Sequence, residues 1–274
     1  MSTIIKAVLF DFGETLLTFG KVKVMQVFSQ SARQTYAYLI KEGQPAGHFW
    51  WYFIRNIAAI RVRNLWGNIT RRDFDALSLL KSFGISRGYT LNEEQWRDVG
   101  WLWYEPLNRL AKAEIDIRDT LSKLRQMGLK LGILSNTFIS AGSLDRQLEQ
   151  FGMLEFFPCR LYSYQFGFRK PDGRIFDAAV KRIGVPAENI LFVGDRIDKD
   201  IKPALRQGMR TIMKTAYTNR GKTVPDGVIK IERIAELPSI ITKINSTAEH
   251  AESAEKKIKD IFTPKRARID AKII

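Results

Sequence analysis

The sequence predicts an α/β protein: a mostly parallel, doubly wound sheet with an all-helical domain inserted after its first strand. Three observations carry this reading. Five short apolar, β-branched runs each end in small or polar residues, helix-patterned segments with start and stop signals lie between the later runs, and the strand-like runs cease between about residues 18 and 113. Continuous apolar runs mark strands buried on both faces, and their alternation with helices implies parallel pairing through crossover helices.

Taken in order, the first run is IIKAVLFDF (4–12), which ends on Asp11 and enters a turn at Gly13. The inserted segment follows, and all six tryptophans fall within it, between positions 50 and 103. Within it, HFWWYFIRNIAAI (48–60) contains Arg55 and Asn56 and is too short to span a bilayer, so a buried helix is expected. Thr70 with Asp73 reads as the start of a helix closed by Gly84, and Thr90 with Glu93 as the start of another closed near Pro106. Trp50, Trp51, Trp101 and Trp103 could stack an aromatic substrate or pack the core of this small helical unit, and the core is expected because large aromatics dominate such cores.

The α/β pattern then resumes. Asp116 with Asp119 opens IRDTLSKLRQM, which Gly128 stops, and LKLGILSN (129–136) and FPCRLYS (157–163) read as strands. Asp172 opens RIFDAAVKRI up to Gly184, NILFVGD (189–195) is a strand, Asp200 precedes IKPALRQ up to Gly208, and RTIMK (210–214) is the last strand. This divides the chain into a core of residues 1–17 and 114–245, an inserted helical domain of residues 18–113, and a charged, aromatic-poor C-terminal tail of residues 246–274. The tail is expected to be partly helical, with Pro264 interrupting it and KKIKD and KRAR carrying its basic residues.

Composition bounds the function. A chain of 274 residues with 45% hydrophobic content can bury a full core. The formal net charge of +15 is spread: residues 18–113 carry 14 Lys+Arg against 7 Asp+Glu, and residues 114–245 carry 22 against 15. Nucleic-acid binders concentrate positive charge on one face, so this distribution argues against nucleic acid and suits capture of an anionic small molecule. No apolar stretch reaches 18 residues and the first residues enter a strand, so a cytoplasmic protein with no membrane partner is expected. Oligomeric state is not specified. One cysteine and two histidines leave no set for an internal disulfide or a Cys/His zinc site, so any metal should be oxygen-bound, which points to magnesium.

Four polar features sit just beyond four predicted strand ends: Asp11 with Thr15, Ser135 with Asn136, Lys170 in GFRKPDGRIF, and Asp195 with Asp200 in VGDRIDKDIKPA. Strand ends of a doubly wound sheet converge on one crevice, so these residues can meet across the sequence. Two carboxylates suit a hard divalent cation, a lysine and hydroxyls suit an anion's oxygens, and the first carboxylate is left to attack.

In this order and spacing the motifs resemble those of the haloacid dehalogenase-like hydrolase superfamily, over residues 4 to about 243. That family carries Asp-x-Asp-x-Thr after the first strand, Ser/Thr after the second, a lysine ahead of a helix, and Gly-Asp followed by another acid. One branch inserts a helical cap where residues 18–113 fall. The resemblance implies a Rossmann-like core in which Asp11 is the nucleophile and Lys170 assists it. It further implies that Thr15, Ser135, Asn136 and Lys170 contact the phosphoryl group. Magnesium would be held by Asp11, the backbone carbonyl of Gly13, Asp195 and Asp200.

The chain departs from this pattern at Gly13, where phosphatases of the family carry the acid/base aspartate. A carbonyl ligand survives the change; proton transfer does not, and a positioned acid or base is typically worth about 10²–10⁴-fold. Three readings stay open. The first is a phosphatase of a small phosphorylated metabolite, slow, selective for good leaving groups, or using another acid such as Glu14. The second is a hydrolase of carbon–halogen or carbon–phosphorus bonds, the latter needing an imine-forming lysine such as Lys21 or Lys23. The third is a phosphate- or magnesium-binding homologue without turnover that contacts a protein partner.

Overall fold

The computed structural model describes residues 3–262. Six parallel strands form one sheet: β1 (Ala7–Phe10), β2 (Lys130–Ser135), β3 (Cys159–Tyr162), β4 (Ile190–Gly194), β5 (Arg210–Lys214) and β6 (Ile229–Ile231), in spatial order β3-β2-β1-β4-β5-β6. β1 is central, pairing Ala7 with Lys130 on one side and with Ile190 on the other. The order reverses at β1, so the crevice beyond the carboxyl ends of β1 and β4 is the natural ligand position.

The period-2 alternation of strand side chains explains why these runs are apolar throughout. Val8, Phe10, Leu131, Ile133, Leu191 and Val193 point to one face, against α5 (Ile117–Gln126), α6 (Ala141–Gln150) and α9 (Leu237–Phe262). Ala7, Leu9, Leu134, Ile190 and Phe192 point to the other, against α7 (Gly173–Ile183) and α8 (Lys202–Arg206). Asp172 caps α7 by accepting from Arg174 N at 3.0 Å, and Gly184 ends it in the left-handed conformation. β6 was absent from the sequence reading: its three residues, IKI, bury only Ile231.

Between β1 and α5 lie four helices, α1 (Val24–Lys41), α2 (Phe49–Thr70), α3 (Ala76–Ile85) and α4 (Glu93–Asn108). The chain leaves and returns side by side, with Thr18 and Lys112 exchanging both backbone hydrogen bonds at 2.9 Å. Leu39, Tyr52, Leu80, Tyr89, Trp96 and Val99 form the centre of this helical layer.

Several local expectations need correction here. Thr70 is the last residue of α2, and α3 is capped by Asp75, whose carboxylate accepts from Leu77 N. α4 is capped by Asn92 with Gln95 rather than by Thr90 with Glu93, because only the Asn92–Gln95 pair exchanges both side-chain-to-backbone bonds. The segment around 48–60 is not a buried helix: α2 buries Tyr52, Ile57 and Ile60, while Trp50, Trp51 and Ile54 lie outside. Trp101 packs inside and Trp103 is half-buried, whereas Trp50 and Trp51 do not join the core. α9 runs unbroken through position 246, so no change of secondary structure marks the start of the tail; Pro264 and KRAR lie outside the described residues. No helix among the described residues is long and apolar enough to cross a membrane.

Candidate active site

β1 delivers Asp11 to the crevice because its strand register continues for one more bond, Asp11 N donating to Val193 O of β4 at 2.9 Å. The chain then turns sharply: Leu16 N and Leu17 N return to Phe12 O, and Glu14 takes a left-handed φ of 60°. A non-glycine residue in that conformation is uncommon, and here the side chain holds it. Glu14 Oε1 accepts from Phe19 N at 2.9 Å and Gly20 N at 3.0 Å, closing the loop on itself. The loop-closing role is therefore the one its geometry fills.

Lys170 is the centre of the site. It is 2% exposed, and its Nζ donates to Asp11 Oδ1 at 2.7 Å and to Asp200 Oδ1 at 2.6 Å, with the Phe192 ring 5.4 Å away. Burial alone would pull the ammonium's pKa down, but Asp11 and Asp200 outweigh it and hold the pKa above the ordinary lysine value. Asn136 fixes the residue from behind: its Oδ1 accepts from Lys170 N and its Nδ2 donates to Lys170 O, both at 2.8 Å. The Asn136 amide, expected to contact substrate, is thus engaged by the lysine backbone at both ends.

The acidic side is built by β4 and the turn after it. Asp195 follows the strand, and Asp200 sits on a wide π-type turn, Ile197–Ile201, a form often found at functional positions. Gly194 makes this possible: a Cβ there would lie 2.5 Å from Asp200 Cβ. Asp200 Oδ2 accepts from Arg196 N at 2.9 Å. Asp195 Oδ2 accepts from Thr218 Oγ1, and Asn219 Nδ2 bridges Asp195 O and Lys214 O at 2.9 and 2.7 Å. Burial first, then repulsion from Asp11 and Asp200, drives the Asp195 carboxyl well above the ordinary carboxylate range. Burial raises Asp200 as well, against the opposing pull of Lys170.

One oxygen each from Asp11, Asp195 and Asp200 lies within 4.8 Å of the others, all three residues being buried. Three buried carboxylates faced by one lysine leave negative charge without a partner, and an all-oxygen set is what a hard divalent cation needs. These residues fit a metal ion on that ground.

Asp11, Gly13, Ser135, Asn136, Lys170, Asp195 and Asp200 all border one cavity of about 340 Å³. Thr15 does not border it: it is 2% exposed, and its Oγ1 has no hydrogen-bond partner among the described residues. Gly13 keeps room for a side chain, since an added Cβ would meet only Phe19 Cε2, at 3.8 Å, and its backbone is not left-handed. Lys21 and Lys23 are exposed. Sequence reasoning missed Arg169, Arg196, Lys199, Tyr217 and Thr218, which also line the cavity. Arg196 and Lys199 stand between two motif acids and could have been found there; Tyr217 and Thr218 belong to a loop with no readable pattern.

Comparison with known proteins bears on the family and the fold. A glyceraldehyde 3-phosphate phosphatase of Methanopyrus kandleri is 35% identical over 142 residues, covering 47% of this chain and 56% of that protein. A Thermus thermophilus phosphoserine phosphatase is 35% identical over 95 residues, covering 34% of this chain and 36% of that protein. The matches thus span about half or less of these relatives' length. Among solved structures, a HAD phosphatase from Thermococcus onnurineus covers 86% of this chain and 98% of its own, with a TM-score of 0.54 at 22% identity. A 2-haloacid dehalogenase from Pseudomonas syringae covers 88% and 99%, with a TM-score of 0.57 at 21% identity; likenesses at this identity speak to the fold. The family model for haloacid dehalogenase-like hydrolases matches residues 5–208, which include Asp11, Ser135, Lys170, Asp195 and Asp200, and the chain belongs to that family.

Proposed function

We propose that the chain is a magnesium-dependent phosphatase of a small phosphorylated metabolite, working through an aspartyl-phosphate on Asp11. The observation that carries this reading is the buried Asp11–Lys170–Asp200 chain opening onto the strand-end cavity. Lys170 orients Asp11 and balances its charge, Ser135 borders the cavity where a phosphoryl oxygen would lie, and Asn136 positions Lys170. We assign Thr15 to the loop rather than to substrate. Magnesium, held by Asp11, Asp195 and the Gly13 carbonyl with Asp200 beside them, would neutralise charge on the phosphoryl oxygens. The phosphatase names among the relatives support the reaction class.

No carboxylate stands at position 13, and Glu14 is occupied by Phe19 N and Gly20 N. The site therefore favours substrates whose leaving group departs with little protonation. We take residues 1–17 and 114–245 as the catalytic core and residues 18–113 as its cap, and place the reaction in the cytoplasm, in keeping with a single, unpaired cysteine. The test is release of phosphate from an aryl phosphate with and without magnesium. We expect metal-dependent turnover that Asp11→Asn abolishes; no turnover and no trapped acyl phosphate in a folded chain would leave a binding homologue instead.

A further inference from the structure

Four basic side chains line the cavity alongside its acids, and three of them are committed to carboxylates. Lys170 is committed to Asp11 and Asp200. Arg169 pairs with Asp73, brought in from the segment between α2 and α3, at 2.8 Å. Arg196 forks onto Asp198 with two bonds of 3.0 Å. Lys199, half-buried on the same turn as Asp200 and lining the same cavity, makes no hydrogen bond or ion pair among the described residues.

An ammonium partly withdrawn from water beside the Arg169 and Arg196 guanidinium groups, and only partly offset by Asp198 and Asp200, carries a cost that an anion in the cavity reduces. The carboxylates of Asp73, Asp198 and Asp200 each already bond another cation, so a ligand anion can supply the close partner that Lys199 lacks. Resting on the phosphatase reading above, we propose that Lys199 is a specificity-determining residue that binds a second anionic group on the leaving part of the substrate. The substrate class is then a phosphate monoester bearing a carboxylate or a second phosphoryl group, rather than a neutral phosphorylated alcohol. The +15 net charge of the chain favours capture of such a multiply charged anion.

The test uses two esters that differ in one group, 3-phosphoglycerate and glycerol 3-phosphate, with kcat/KM measured for the unmodified chain, Lys199→Gln and Lys199→Arg. A charge-assisted contact predicts a preference for 3-phosphoglycerate that Lys199→Gln lowers by about 10- to 100-fold and Lys199→Arg largely retains. A preference that Lys199→Gln leaves unchanged, or the absence of any preference, overturns the inference. Equilibrium binding of the same two esters to Asp11→Asn, alone and combined with Lys199→Gln, reads the same difference without turnover. Failure of hydrolysis would thus sink the phosphatase reading, while the binding ratio still decides the role of Lys199.

Discussion

In the strand-end crevice the chain buries charge, and along the outer face of α2 it exposes hydrocarbon. Asp11, Lys170, Asp195 and Asp200 are each 9% exposed or less; Lys170 bridges Asp11 and Asp200, and Asp195 accepts from the neutral Thr218 hydroxyl. On α2, Trp51, Val62, Leu65, Trp66 and Ile69 are 64–74% exposed, while Tyr52, Ile57 and Ile60 of the same helix are buried. The difference teaches which residues are constrained. A buried charge tolerates no loss of its counter-charge, whereas an apolar side chain left in water has little native packing to lose.

Substitutions that remove one partner at a time should separate the two regions. Lys170→Met should have the largest effect on stability, lowering the free energy of unfolding by about 3–5 kcal/mol in urea titration, because Asp11 and Asp200 would face each other without their cation. Added magnesium should recover part of that loss if these carboxylates hold the ion. Trp96→Ala should cost a similar amount, about 3–5 kcal/mol, since Trp96 is 3% exposed and stacks on Tyr89 in the centre of the helical layer. Asn136→Ala removes two hydrogen bonds to the Lys170 backbone and should cost about 1–3 kcal/mol, with a fall in kcat that exceeds the change in KM. Trp66→Ser, on the exposed face of α2, should stay within about 0.5 kcal/mol by the same titration.

The same contrast explains what could be read from sequence. The five longer strands were legible because both faces of the sheet are covered, which leaves no polar alternation to mislead the reading. β6 was not, since Ile229 and Lys230 are exposed and three residues carry no period. The crevice was legible because one strand end after another supplies a residue type that chemistry restricts, from Asp11 to Asp200. What could not be read were contacts set by tertiary geometry: the Asn136 clamp on Lys170, the Thr218 and Asn219 support of Asp195, and the Asp73–Arg169 pair across 96 positions. The burial of α2 was misjudged for a related reason. Its apolar residues lie on both sides of the helix, so composition gave no sign of which side the neighbours cover.

We propose that Asp11 receives the phosphoryl group in a site with no acid at position 13. The dependence of kcat/KM on leaving-group pKa, from aryl to alkyl phosphates, tests it in the unmodified chain and in Gly13→Asp, a change the open space at Gly13 accommodates. We expect a steep fall toward alkyl phosphates that Gly13→Asp reverses by about 10²–10⁴-fold at the alkyl end, with little change at the aryl end. A shallow dependence in the unmodified chain, or an alkyl rate that Gly13→Asp leaves unchanged, would contradict it.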